Sequence, residues 1–137
     1  MDNIQRKEVN EAINAADDAI FYLERARKSL NSAGNWGLLG LFGDGTISGL
    51  IKHSKLGNAE NDIESARYSL RKFSQELRDV DGLNDVNIGG FLTFADFFFD
   101  GFVADVLVQS KIGKAQSQCD DALRQVRQIR GQLTAMI

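Results

Sequence analysis

No proline interrupts this chain of 137 residues, and apolar residues recur along it at alternating steps of three and four. The first property removes the residue that most often ends or kinks a helix. The second is the pattern of a helix that buries one stripe against its neighbours. From Asp2 or Asn3 to Asn31 the stripe reads Val9, Ile13, Ala16, Ile20, Leu23 and Leu30, with Arg27 breaking it. From Thr46 to Val80 it reads Leu56, Ala59, Ile63, Ala66, Leu70, Phe73, Leu77 and Val80. A third stretch opens near Phe91 and continues through Ile112, Ala115, Cys119, Ala122, Val126, Ile129 and Leu133. No run alternates with period two for long enough to make a strand. The pattern predicts one all-α domain over residues 1–137, an antiparallel bundle of three long helices, or four if the chain breaks near Gly101.

The breaks between these stretches are made of glycine and short polar residues. Asn31-Ser32-Ala33-Gly34 supplies a helix stop, because glycine accepts the left-handed cap conformation. Beyond it, Gly34, Gly37, Gly40 and Gly43 alternate with Trp36, Leu38, Leu39, Leu41 and Phe42. A segment with so free a backbone and such apolar side chains is expected to fold down as a cap over one end of the bundle. Asp79 to Gly82 closes the second helix, and a polar turn through Asn84, Asp85 and Asn87 leads to Gly89-Gly90.

An internal repeat links the second and third stretches. Residues 42–77 set against 98–133, without a gap, are identical at Phe42/Phe98, Asp44/Asp100, Gly45/Gly101, Ser54/Ser110, Lys55/Lys111, Gly57/Gly113, Ala59/Ala115, Ala66/Ala122, Arg71/Arg127 and Leu77/Leu133. The offset of 56 is a multiple of seven, so heptad phase alone would align the apolar positions. It would not align Asp-Gly, the Ser-Lys pair or the arginines. An internal duplication is therefore the expected origin of the two halves.

Composition narrows the function classes. Sixteen Lys and Arg stand against nineteen Asp and Glu, a formal net charge of −3. A phosphate backbone needs clustered cations, and Lys52, His53 and Lys55 make a patch no larger than an ordinary helix surface carries, so no nucleic acid is expected. The polar start, Met1 to Arg6, has no signal-peptide core, and a cytoplasmic protein is expected. Phe91 to Val108 is the most apolar run, yet it holds Asp96, Asp100 and Asp105. Each would cost about 2.5–3.5 kcal/mol at the centre of a bilayer, so no transmembrane segment is expected. The same carboxylates argue against contact with an anionic membrane surface.

No catalytic, cofactor or metal site stands out. Gly43 to Gly49 resembles a phosphate loop only superficially, since no strand precedes it and no Gly-Lys-Ser/Thr triplet occurs. Asp96 and Asp100 share a helix face, but the single histidine, His53, has no ligand at metal spacing. Cys119 falls in a core phase and reads as a small buried hydrophobe. The aromatic residues are the more informative feature. Phe91, Phe94, Phe97, Phe98, Phe99 and Phe102 crowd into twelve residues, pointing to more than one side of a helix. Two readings stay open for them: internal packing beneath the glycine-rich cap, or a subunit interface. The expectation is a non-enzymatic interaction or scaffold protein, without cofactor, that binds a protein partner or forms a homo-oligomer. Its candidate interaction residues are these six with Trp36, Leu39 and Phe42. The alternative is a small-molecule or anion binder using a pocket beneath segment 34–49.

Asn35-Trp36-Gly37, Ile51-Lys52-His53-Ser54-Lys55 and Phe94-Ala95-Asp96-Phe97-Phe98-Phe99-Asp100-Gly101 resemble blocks of a family of small bacterial helical proteins. The resemblance covers most of the chain and implies a cytoplasmic bacterial protein. The family carries no established activity, so no functional residue is transferred.

Overall fold

The structure, a computed structural model, describes the backbone of residues 2–42, 45–80, 82–83, 85–96 and 109–137, and the side chains of 2–31, 61–80, 82–83, 88–96 and 113–137. Four helices make up the described residues: α1 (Asn3–Phe42), α2 (Gly45–Arg78), α3 (Asp85–Asp96) and α4 (Gln109–Ala135). The all-α expectation holds for these residues. The region around Gly101, where the sequence allows a break, lies outside them.

A capping box starts α1. The Gln5 amide donates to Asp2 Oδ1 at 2.7 Å, and the Asp2 amide donates back to Gln5 Oε1 at 3.4 Å, so two of the helix's unpaired N–H groups find acceptors. The helix does not end at Asn31–Gly34 as expected but continues through Gly34, Gly37 and Gly40 to Phe42. Segment 34–42 therefore prolongs α1 instead of turning back as a cap. Each interior glycine costs about 1 kcal/mol relative to alanine, but Leu38, Leu39 and Leu41 are strong helix formers. A continued helix also keeps every backbone group paired, which an apolar loop would not. Of the polar turn expected before Gly89-Gly90, Asp85 and Asn87 are likewise helical, since α3 already begins at Asp85, and Asn84 lies outside the described residues. Asp and Asn are residue types that a helix start favours.

The helices pack in cyclic order: α1 against α2 and α4, and α3 against α2 and α4. Among the described residues neither α1 with α3 nor α2 with α4 comes into close backbone contact. Side-chain pairs fix the directions. Arg25 pairs with Asp62 across α1 and α2, while Asp17, Glu24 and Arg27 meet Arg130, Arg127 and Asp120 of α4. Rising numbers on α1 meet falling numbers on α4, so these two run antiparallel.

The core on α1 holds Val9, Ala12, Ala16, Ala19, Leu23, Ala26 and Leu30, an unbroken three-four alternation, together with Ala15. Ile13 and Ile20, expected within it, are only partly buried beside it. Ala26 holds the position at which Arg27 broke the expected stripe. On α2 and α4 the expected stripes are buried from Ile63 to Val80 and from Ala115 to Leu133. Equivalent repeat positions share this fate: Ile63/Cys119, Ala66/Ala122, Leu70/Val126, Phe73/Ile129 and Leu77/Leu133 are all buried. Gly82, at φ +91°, takes the left-handed conformation that lets the chain leave α2, and a Cβ there would lie 3.7 Å from Met136.

Candidate functional site

The expected interaction residues fall into three groups. Phe91 is core: fully buried, with its ring centroid 5.4 Å from that of Phe73 at a tilt of 59°. Ile88, Phe91 and Ala95 form the buried stripe of α3, at three- and four-residue spacing, and dock it on its neighbours. Phe94 is half-buried and, with Phe91, Gln125, Gln128, Ile129 and Gln132, lines a cleft of about 440 Å³ between α3 and α4. Trp36, Leu39 and Phe42 sit in the last turns of α1, and their side chains lie outside the described residues. Phe97, Phe98, Phe99 and Phe102 lie wholly outside them, as do the side chains beneath which the alternative pocket at 34–49 was expected.

Sequence reasoning missed a second surface. Between α1 and α2 runs an open groove of about 400 Å³ lined by Ala15, Asp18, Tyr22, Ser65, Tyr68 and Lys72, among others. A smaller hollow of about 180 Å³ extends it past Glu11, Asn14 and Glu76. Tyr68 is 73% exposed and Phe21, at the margin, 58%. Phe21 meets Tyr22 edge-on, with centroids 5.1 Å apart. The sequence did hold a signal for this groove. Glu11, Ala15, Asp18 and Tyr22 on α1, and Ser65, Ser69, Lys72 and Glu76 on α2, form second stripes at heptad spacing beside the core stripes.

Charged side chains elsewhere hold helices together. Arg130 Nε lies 2.6 Å from Asp17, and Arg27 Nε 2.8 Å from Asp120; Arg127 pairs with Glu24. The hydrogen bond to Asp17 raises the pKa of Arg130 further. Asp62 is nearly buried, accepts from the Ser29 hydroxyl and forms an ion pair with Arg25 at 3.1 Å. Asp96 lies 4.0 Å from Arg78, both well exposed, and Asp100 is outside the described residues.

The Cys119 thiol is fully buried, and that burial pushes its pKa up to about 12, with Arg27 lowering it and Asp120 raising it. Such a thiol is inert as a nucleophile at neutral pH. Among the described residues no three His, Cys, Asp or Glu side chains are arranged to hold a metal ion. No helix among them is long and apolar enough to cross a membrane. Comparison with protein-family models, curated proteins and solved structures finds no match to the chain.

Proposed function

We propose that this chain is a non-enzymatic cytoplasmic interaction protein, an antiparallel helical bundle that arose by duplication and joins copies of itself through segment 91–102. The observation that supports this most is how α3 uses its phenylalanines. Phe91 is consumed inside the chain on Phe73, and Phe94, three residues on, packs partly buried against the same core. By sequence spacing, Phe98 and Phe102 continue the stripe of Ile88, Phe91 and Ala95, while Phe97 and Phe99 fall off it. Aromatic side chains that fall off a core stripe, as Phe97 and Phe99 do in the sequence, are the material of subunit interfaces. The Asp-Gly, Ser-Lys and Arg matches at one offset support the duplication, because heptad phase does not require them.

Sedimentation velocity at tens of micromolar tests the reading. We expect a species heavier than the 15.1 kDa monomer, and a shift toward monomer in Phe97→Ser/Phe99→Ser with helix content unchanged. A strict monomer at that concentration overturns it.

A further inference from the structure

We propose that the groove between α1 and α2 is a docking site for a basic amphipathic helix of a partner protein. The proposal concerns a different surface from segment 91–102 and does not depend on self-association. Three observations carry it.

The first is shape. Groove residues on both helices recur at heptad spacing, Glu11, Ala15, Asp18 and Tyr22 opposite Ser65, Ser69, Lys72 and Glu76. Two parallel rows at that spacing offer holes for the knobs of a third helix. Ala15, Ser65 and Ser69 keep the floor shallow, so a helix can approach closely. From Glu11 to Tyr22 the rise is about 16 Å, which accommodates about three turns of the incoming helix.

The second is exposed aromatic surface. Tyr68 lines the groove with Tyr22 and stands in water, as does Phe21, which meets Tyr22 edge-on. Tyrosine is enriched among residues that dominate binding energy, and its ring face attracts Lys and Arg.

The third is charge. The lining carries Glu11, Asp18, Glu64 and Glu76 against Lys72 alone. Lys7 reaches Glu11 only as an exposed pair at 4.0 Å and the half-buried Arg67 pairs with Glu64 at 3.3 Å, while Asp18 and Glu76 have no ion pair among the described residues. Two copies meeting groove to groove would bring carboxylates together, so the complementary occupant is cationic.

The test uses the full chain, labelled with ¹⁵N and titrated with a synthetic helical peptide bearing Leu at its seam positions and Lys elsewhere. A peptide with Glu in place of Lys is the control. We expect amide shifts at Ala15, Tyr22, Ser65 and Ser69 with the Lys peptide only. Asp18→Lys/Tyr68→Ala alters two exposed side chains, so folding is not at stake, and should weaken binding at least ~10-fold. Asp121→Lys on α4, which lowers the net negative charge elsewhere, should change binding less than about twofold. Shifts centred on other helices, equal binding of both peptides, or equal loss in the two variants would each overturn the proposal. So would shifts of the same amides with protein concentration alone, which would mark a second copy as the occupant.

Discussion

Truncating the Phe73–Phe91 pair tests whether α3 is docked where the structure places it. Both rings are fully buried and lie 5.4 Å apart. Phe→Ala in a core costs about 3–5 kcal/mol, from lost transfer energy and from the cavity left behind. Phe73 sits on the long helix α2, which cannot readily collapse into the gap, so Phe73→Ala falls toward the upper end. Phe91 lies on a helix of only 12 residues that touches two neighbours, so α3 can settle inward and Phe91→Ala falls toward the lower end. A domain of this length has a stability of roughly 7–20 kcal/mol, so each single variant should remain folded. The double variant should cost less than the sum, because the first truncation has already removed the partner ring, and the coupling should be about 0.5–1.5 kcal/mol. Urea unfolding followed by far-UV circular dichroism, with m unchanged across the four proteins, measures all terms. A cost below about 0.5 kcal/mol for Phe91→Ala, the value of a surface position, would refute the docking and release Phe91 to an interface.

Three further outcomes follow from single residues. A methyl group on Gly131 of α4 would meet nothing within 4 Å, so Gly131→Ala should raise stability by about 0.5–1 kcal/mol, whereas Gly82→Ala, strained at φ +91°, should lower it; urea unfolding reads both. Asp62→Ala should cost about 1–3 kcal/mol in urea unfolding, since it leaves the part-buried Ser29 hydroxyl without its acceptor. The Cys119 thiol binds its proton more tightly folded than unfolded, with its pKa raised from 9.0 to about 12. The stability it contributes is thus complete below pH 9 and is lost as pH rises through about 12. The stability difference between wild type and Cys119→Ala should decline across that window, and a flat difference would exclude the burial.

The long helices were legible because their stripes are built from large apolar residues. Every described position of the expected α2 and α4 stripes is buried. On α1 the stripe is displaced from the expected one, since hydrophobicity favours Ile13 and Ile20 over alanine. Ala12, Ala19 and Ala26 are buried there because a small side chain lets a neighbouring helix approach closely, and size is what periodicity by hydrophobicity undervalues. The stop at Gly34 failed for another reason. Glycine permits a left-handed cap but does not compel one, and no proline follows to forbid the helix. The α1–α2 groove escaped notice because its stripes mix Ala, Ser, Tyr and charges, which read as ordinary solvated faces until the two helices bring them side by side.

The packing of the described helices depends on α1 lying antiparallel to α4 in one register, with Asp17 at Arg130. Cysteine placed at both positions in a Cys119→Ala background, treated with a short bismaleimide at low protein concentration, tests this directly. Rapid cross-linking within one chain is expected for Asp17→Cys/Arg130→Cys. Little is expected for Asp17→Cys/Asp120→Cys, where the partner lies about 15 Å further along α4. Equal cross-linking of the two pairs, or products joining separate chains only, would contradict the register.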